Sequence, residues 1–206
     1  MAVNMRSRIL RGAAMLFNKH GGRNVKIEEI SSYLGISKKT IYNHFPDKQT
    51  LLDAAMDESM RDISRKIDEI ADKEIDYFEK VKELMEFAFA EITSREELFL
   101  KTLYEDSLDS KLLQFIRQKV LQISAKMAKE GIAAGVLRHD LPKAFLPYFY
   151  VNVIEGCILL FRFPDVGITR EKMFTESIRI TMEGVLTQQG RDEMRKLYDA
   201  GTLTAD

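Results

Sequence analysis

Helical periodicity with few interruptions is the feature that most limits how this 206-residue chain can fold. Apolar residues recur every three or four positions through most of the sequence, and only four prolines interrupt them. We find no convincing stretch of alternating apolar and polar residues that would predict a strand. Hydrophobic residues make up 45% of the chain, which is enough for a substantial core. The sequence therefore predicts an all-α protein.

Two short apolar stripes open the chain. The first occupies residues 5–17 and is followed by Gly21 and Gly22, and the second occupies residues 27–34 and is followed by Gly35. Each stripe has the length and spacing of a short helix with one apolar face. Glycine is common just after the C-terminal end of a helix, so these glycines predict where both helices end.

A third short helix follows this glycine turn. Ser37 offers a side-chain oxygen that can cap a helix beginning at Lys38. We expect the helix to end at Phe45, because a residue that precedes a proline, here Pro46, is disfavoured in the helical region. Two short helices joined by a tight turn that contains a glycine form the pattern of a helix-turn-helix.

The outward face of the third helix is polar on both flanks. With Ile41 turned toward the core, a helical wheel places Phe45 on the same side, and Lys39 and Asn43 on the opposite side. The flanking side chains are Lys38 with Tyr42 on one side and Thr40 with His44 on the other. A helix that only packs against protein would be expected to be apolar on at least one flank. This arrangement instead suits a helix in a DNA groove, with base-reading groups outermost and phosphate-binding groups beside them.

Charge is distributed unevenly along the chain. Residues 1–50 hold nine lysines and arginines against three acidic residues, a balance of +6, and the remainder holds 22 basic and 29 acidic residues, a balance of −7. A basic head on an acidic body predicts a polyanionic partner for the head. Charge alone leaves a solvated basic surface as the alternative.

The segments LFNKHG and IEEISSYLGISKKTIYNHFPDK, with the LL that follows, resemble the DNA-binding domain of the tetracycline-repressor (TetR) family. The similarity covers about residues 6–56 without a gap, and Tyr42, His44, Phe45 and Lys48 are its most specific part. The resemblance implies a DNA-binding transcriptional regulator, usually a repressor. Another class of helix-turn-helix protein is the alternative.

The resemblance also implies which side chains meet DNA. Tyr42, His44 and Lys48 would hold operator phosphates, as Thr40 often does, and the positions of the two lysines and the asparagine of the third helix tend to meet bases. The full set of expected DNA contacts is Lys26, Ser37, Lys38, Lys39, Thr40, Tyr42, Asn43, His44 and Lys48.

Four residues depart from the family pattern. Gly22 replaces a common aromatic residue, and Ser31 replaces an alanine. Lys26 stands where a threonine usually caps the second helix and touches phosphate; a lysine cannot cap, but it can still supply the charge. Gly12 stands where alanine is usual, and we expect it to loosen the first helix by up to ~1 kcal/mol. None of the four changes removes the helix-turn-helix pattern.

The expected domain organisation follows the same resemblance. Residues 1–47 would form the DNA-binding domain, a helix over 48–70 capped by Asp47 would connect it to the body, and residues 71–206 would form a helical domain for effector binding and dimerisation. Helices of the body are predicted over 74–93, 96–106, 109–134, 142–163 and 169–189. The tail, 190–206, is expected to contain one short helix, and the sequence assigns it no role.

The last two large helices are expected to form the dimer interface. The segment 135–144 resembles the turn that precedes them in the family, so helices 142–163 and 169–189 would pair with their mates in a four-helix interface. Gly156, Cys157 and Gly184 would allow the close approach that such an interface needs.

A pocket for a small apolar or amphipathic effector is expected among the helices of the body. The residues predicted to line it are Met85, Phe89, Phe99, Leu103, Phe115, Met127, Phe145 and Phe149. Apolar stripes of this kind are also typical of an ordinary core, which is the alternative. Asn152 and Glu155 are polar positions on an apolar helix; they would contact the ligand, or else form an interhelical hydrogen bond or lie in the dimer interface.

Other function classes receive little support. The three histidines are scattered, and we find no metal-spaced cluster, phosphate loop or nucleophile elbow, so an enzyme, a cofactor and a metal are not expected. No apolar run reaches the ~20 residues of a membrane span, the N-terminus lacks the pattern of a signal peptide, and the single cysteine fits a reducing cytoplasm. One alternative remains open: a DNA-binding adaptor that recruits a protein partner and has no small-molecule effector.

Overall fold

The computed structural model describes residues 4–22, 24–94, 111–142, 144–160 and 167–199. Within these residues the regular structure is helical, which confirms the predicted all-α class. The helices are α1 Met5–His20, α2 Ile27–Leu34, α3 Lys38–Tyr42, α4 Lys48–Ala71, α5 Tyr77–Thr93, α6 Lys111–Ala133, α7 Phe145–Leu160, α8 Arg170–Val185 and α9 Gln188–Asp199. The helix predicted over 96–106 lies outside the described residues. No helix in the described part of the chain is long and apolar enough to cross a membrane.

The helix predicted over 169–189 is the largest difference from the sequence-based expectation. Helix α8 ends at Val185, because Leu186 adopts an extended backbone and forms an isolated antiparallel bridge with Leu137. Two backbone hydrogen bonds flank this bridge: the Arg138 N–H donates to the Val185 carbonyl at 2.9 Å, and the Thr187 N–H donates to the Val136 carbonyl at 2.9 Å. Neither a glycine nor a proline directly follows Val185; the helix ends because Leu186 pairs with a residue about fifty positions earlier in the chain.

The chain divides into two compact units, and one of the boundaries between them falls within α4, between Arg65 and Lys66. The first comprises Met1–Arg65 and Thr93–Leu112, and the second comprises Lys66–Ile92 and Leu113–Asp206. The predicted division, with a domain boundary after residue 47 and a connecting helix over 48–70, stays a prediction.

The core of the first unit is contributed by α1, α2, α3 and the beginning of α4, with the turns between them. Its most buried large side chains include Ile9, Ile30, Ile41, Phe45 and Leu51, each at most 1% exposed. These positions come from α1, α2, α3, the turn after α3, and α4. The core therefore fixes the three short helices and the start of α4 as one packed group.

Gly12 has a packing role in this core as well as a cost in helix propensity. A Cβ atom at this position would lie 2.5 Å from Cδ2 of Leu34, so α1 and α2 approach each other too closely for an alanine unless the leucine shifts. The expected loosening of α1 is thus accompanied by a close contact between helices, which the sequence alone did not reveal.

Asp47 caps α4 as predicted. The Thr50 backbone N–H donates a 2.7 Å hydrogen bond to Oδ1 of Asp47. The bonds from the Thr50 backbone and side chain hold the pKa of the Asp47 carboxyl below its usual value. The cap marks where the chain leaves the turn after α3 and begins its longest helix.

Buried lysines in the second unit are neutralised by carboxylates from other helices. Lys80 Nζ donates to Glu130 at 2.8 Å, and Lys119 Nζ donates to both carboxylate oxygens of Asp68, at 2.6 and 2.7 Å. Burying an unpaired ammonium would be costly, so these pairs restrict how α4, α5 and α6 can pack within this unit.

Helix α9 packs closely against the backbone at Val136, next to the bridge between Leu137 and Leu186, and a glycine of this helix makes the contact. Gly190 is buried, and a Cβ atom there would lie 2.3 Å from the Val136 carbonyl oxygen. Thr187 caps this helix, because its Oγ1 accepts a 3.1 Å hydrogen bond from the Gly190 N–H and its hydroxyl donates to the Gly135 carbonyl at 2.7 Å. The tail predicted over 190–206 is therefore in part a well-packed helix.

Gly190→Ala should destabilise the protein by about 1–3 kcal/mol, since the added methyl group would overlap a backbone carbonyl that has no rotamer to change. This penalty exceeds the gain in helix propensity from replacing glycine by alanine. Urea denaturation followed by circular dichroism measures the free energy of unfolding. Arg195→Ala, at an exposed position of the same helix, is the control and should have an effect below about 0.5 kcal/mol. Equal stabilities of the two variants would contradict the packing of α9 described here.

Candidate nucleic-acid interface

The turn between α2 and α3 is set by a left-handed glycine. Gly35 has φ +62° and ψ +38°, which glycine adopts without the steric cost that a Cβ atom brings. The Ile36 N–H then donates to the Ser31 carbonyl at 3.0 Å, and the Gly35 N–H donates to the Ser32 carbonyl at 3.2 Å. These bonds close the end of α2 and direct the chain into α3, as the helix-turn-helix pattern predicts.

Ser37 caps α3 as predicted. Its Oγ accepts a 3.0 Å hydrogen bond from the Thr40 N–H and lies 2.9 Å from Thr40 Oγ1. Both side chains therefore take part in ordering the first turn of α3. Thr40 is half-buried, whereas Ser37 is exposed.

The inward side of α3 is anchored by two apolar residues. Ile41 is 0% exposed and Phe45 is 1% exposed, which confirms the predicted inward orientation of both. The guanidinium of Arg6 lies 4.9 Å from the centroid of the Phe45 ring, so α1 also contacts this anchor. A cation over an aromatic ring in this geometry is attracted to it electrostatically.

Helix α3 is shorter than predicted, because it ends at Tyr42 and not at Phe45. The turn nevertheless continues: the Asn43 N–H donates to the Lys39 carbonyl at 2.9 Å, and the Phe45 N–H donates to the Ile41 carbonyl at 3.0 Å. These bonds keep the residues after α3 close to the positions that the helical wheel gave them. The shortening therefore leaves the polar outer surface in place.

Most side chains expected to contact DNA are at the surface of the first unit. The exposed ones are Lys26, Ser37, Lys38, Lys39, Tyr42, Asn43 and His44. Thr40 and Lys48 are half-buried. Tyr42 is 47% exposed although it is aromatic, so its ring is available to a partner outside the domain.

Lys38 forms an ion pair that sequence reasoning missed. Its Nζ lies 2.7 Å from Oε1 of Glu28 in the first turn of α2. The hydrogen bond to Lys38 holds the pKa of the Glu28 carboxyl below its usual value, and the same bond raises the pKa of the lysine. Tyr42 also raises the pKa of Lys38, by less than Glu28 does, as expected for two residues on the same flank of α3. Glu28 and Lys38 are ten residues apart in the sequence, and no local pattern indicates that they pair. The ion pair forms because α2 and α3 lie side by side.

Lys26 occupies the N-cap position of α2 without capping through its side chain. Glu29 reaches back to it instead, and its Oε1 accepts a 3.3 Å hydrogen bond from the Lys26 N–H. The lysine side chain is therefore not needed to start the helix, in agreement with the expectation that a lysine does not cap; its contact with phosphate stays a prediction.

Two basic residues of α1 serve the fold of the first unit. Arg8 donates a 2.6 Å hydrogen bond from Nη2 to the Leu34 carbonyl at the end of α2, where positive charge complements the helix dipole. Arg6 lies over the Phe45 ring. Part of the basic charge of the head is thus structural, so net charge alone overstates the number of cations available for DNA.

Comparison with known proteins agrees with this geometry. Residues 9–55 match the family described as bacterial regulatory proteins, tetR family, and these residues contain α2, α3 and the surface just described. These residues form a DNA-binding domain of the tetR family. The chain is therefore a transcriptional regulator with a DNA-binding helix-turn-helix.

Similarity to known proteins extends well beyond the DNA-binding domain. The transcriptional regulator UidR of Escherichia coli (strain K12) is 23% identical over 188 residues, which cover 88% of this chain and 93% of UidR. The nucleoid occlusion factor SlmA of Shewanella woodyi is 25% identical over 168 residues, covering 77% of this chain and 83% of SlmA. A putative transcriptional regulator from Saccharomonospora viridis, solved in complex with choline, superimposes with a TM-score of 0.68 at 24% identity and covers 89% of this chain and 98% of its own.

The described residues among those predicted to line an effector pocket fall into different parts of the second unit. Met85 and Met127 belong to one hydrophobic cluster, and Phe149 belongs to another. Phe89 packs against Phe174, with ring centroids 5.4 Å apart. Phe115 is half-buried.

The other residues predicted for the pocket lie in different surroundings. Phe145 stacks on Phe149 at 5.4 Å but is 48% exposed, and Asn152 is also exposed. Glu155 forms an ion pair with Arg117 of α6. Phe99 and Leu103 lie outside the described residues. The assignment of these residues to an effector pocket stays a prediction.

Proposed function

We propose that this tetR-family regulator is a repressor, that it binds a palindromic operator as a homodimer, and that a small-molecule ligand releases it. The observation that carries the proposal is the outer surface of α3, where polar side chains surround the buried anchors Ile41 and Phe45. We assign DNA binding to residues 1–47, connection to 48–70, and dimerisation and effector binding to 71–206.

We assign the side chains of this surface to two tasks. Tyr42, His44, Thr40, Lys48 and Lys26 bind phosphates and so fix the position of the protein on the duplex. The residues assigned to base edges are Lys38, Lys39 and Asn43. Ser37 contributes through the cap that orders the first turn of α3.

Dimerisation through α7 and α8 is supported by the surface of these helices. Tyr148 is 61% exposed and Ile180 is 65% exposed, so each helix carries a large side chain at its surface that a second copy could cover. Added Cβ atoms at Gly156 and Gly184 would meet nothing within 4 Å in this chain. The two glycines therefore leave room for a second copy to approach closely.

A dimer with two equivalent α3 helices should select a palindrome whose half-sites lie about 34 Å apart, because one short helix reads only a few base pairs. Selection from a random DNA pool, followed by footprinting, tests the operator. Sedimentation tests the dimer. Gly184→Leu should yield a folded monomer with at least about a tenfold loss of operator affinity, because a Cβ atom at this exposed position meets nothing within 4 Å in its own chain and the larger side chain would extend toward a partner.

Lys129→Leu, which places the same residue at an exposed position of α6, is the control and should remain dimeric. A wild-type monomer at micromolar concentration that still binds its operator specifically would refute the dimer proposal. So would an unchanged dimer in Gly184→Leu.

Ligand release is supported by fold and composition. The similar regulator from Saccharomonospora viridis was crystallised with choline, so this fold can hold a small molecule. In the present chain, methionines and phenylalanines of the second unit supply soft, polarisable packing, and we propose that they accommodate a small apolar or amphipathic effector.

A DNA-binding adaptor that recruits a protein partner and has no ligand is the second candidate. It is favoured by one observation: the similar protein from Shewanella woodyi is named for nucleoid occlusion and not for transcription. The two candidates differ in whether any small molecule changes the affinity for the operator.

A further inference from the structure

A carboxylate lies among the cations that we assign to DNA. Glu28 and Lys38 form their ion pair at the surface, with side chains 60% and 53% exposed. The positive charge of Lys26 also attracts the Glu28 carboxylate and contributes to its lowered pKa. A surface that binds only phosphates gains nothing from a carboxylate at this position, because the carboxylate would be repelled by the DNA backbone.

The ion pair affects a lysine in two ways. An ammonium group has three N–H donors, so Lys38 can remain bonded to Glu28 and still donate to a base. A lysine held at one point has fewer phosphates within reach than a lysine whose four-carbon side chain moves freely. The ion pair therefore hinders contacts of Lys38 with phosphates at varying positions. It hinders a contact of Lys38 with one base at a fixed position less.

We propose that Glu28 is a positioning residue for sequence recognition: it holds Lys38 toward the base edges and opposes its use as a non-specific phosphate contact. The inference rests on the proposed function, in which Lys38 meets DNA. It adds that the ion pair persists in the operator complex, and that the ratio of operator affinity to non-specific affinity depends on it.

Glu28→Gln tests this proposal, because it removes the charge while keeping the size of the side chain. Binding of the variant dimer to the selected operator and to a scrambled duplex is measured across a range of salt concentrations. We expect the non-specific affinity to rise about three- to tenfold at 0.15 M salt and its salt slope to steepen by about 0.9 per half-site, since Lys38 becomes available to phosphates. The operator affinity should change less, so the specificity ratio should fall at least about threefold.

Two further variants separate positioning from a general effect of charge. Glu58→Gln removes the same charge from another exposed ion pair of the first unit, with Arg61 at 2.5 Å, and should leave the specificity ratio unchanged. In a Lys38→Gln background, Glu28→Gln should no longer alter the ratio, because Glu28 then has no lysine to position.

Each outcome has a defined meaning. Equal shifts of both affinities in Glu28→Gln, or the same loss of specificity in Glu58→Gln, would overturn the positioning role while leaving the proposed function intact. A loss of specificity that persists in the Lys38→Gln background would also overturn it. A wild-type protein that shows no operator preference would overturn the proposed function and this inference together.

Discussion

Lys39→Ala should lower the affinity for the selected operator by about 1–3 kcal/mol per half-site and should relax the base preference at the positions that Lys39 faces. The physical reason is that a base edge presents a defined set of acceptors, and an alanine leaves them without their donor. Lys39 is exposed on the outer side of α3, opposite the buried Ile41, so its removal should leave the fold of the first unit intact. Selection from a random pool with the variant measures the change in preference.

Lys48→Ala is the matched comparison. It also removes one lysine charge, but we assign Lys48 to a phosphate, and phosphates carry no sequence information. The variant should bind operator and scrambled DNA more weakly by the same factor, and its salt slope should flatten by about 0.9 per half-site. An unchanged base preference in Lys39→Ala would contradict the assignment of this residue to bases.

Binding of the effector and binding of the operator should oppose each other by about 100-fold, which corresponds to ~2.7 kcal/mol of coupling. We propose that α4, an uninterrupted helix from Lys48 to Ala71, carries a small tilt to α3. Two recognition helices must match a groove spacing of ~34 Å, so a shift of a few ångströms would cost contacts on one half-site. A coupling of this size lies within the usual range for allosteric proteins.

Calorimetric titration of an identified ligand into the free protein and into the protein–operator complex measures this coupling. Thermodynamic linkage requires that the operator weaken ligand binding by the same factor by which the ligand weakens operator binding. Equal ligand affinities in the two titrations would show that the ligand is not an inducer. The adaptor function would then gain support.

Features that depend on neighbouring residues could be predicted from the sequence. The cap at Ser37, the buried anchors Ile41 and Phe45, and the cap at Asp47 all follow from local spacing and the chemistry of one side chain. The structure contains each of them. The helical periodicity that gave these features also gave the all-α class.

Features that depend on distant residues could not be predicted in this way. The end of α8 is set by pairing between Leu186 and Leu137, and the partner of Lys38 is Glu28 on another helix. The close approach at Gly12 likewise requires knowing where Leu34 lies. Each involves a tertiary contact whose energy is absent from the local sequence pattern. The expected effector pocket has the same difficulty, because apolar stripes look alike whether they line a cavity or fill a core.

The five-residue length of α3 has a consequence for how such a regulator can change its target. The fold of this segment is supplied by the glycine turn, the Ser37 cap and the two buried anchors, none of which we assign to base recognition. Substitutions at the outward positions can therefore accumulate without refolding the domain. A duplicated copy of the gene could acquire a new operator through a few such changes, and the parent and the copy would then control separate sets of promoters while keeping one shared scaffold.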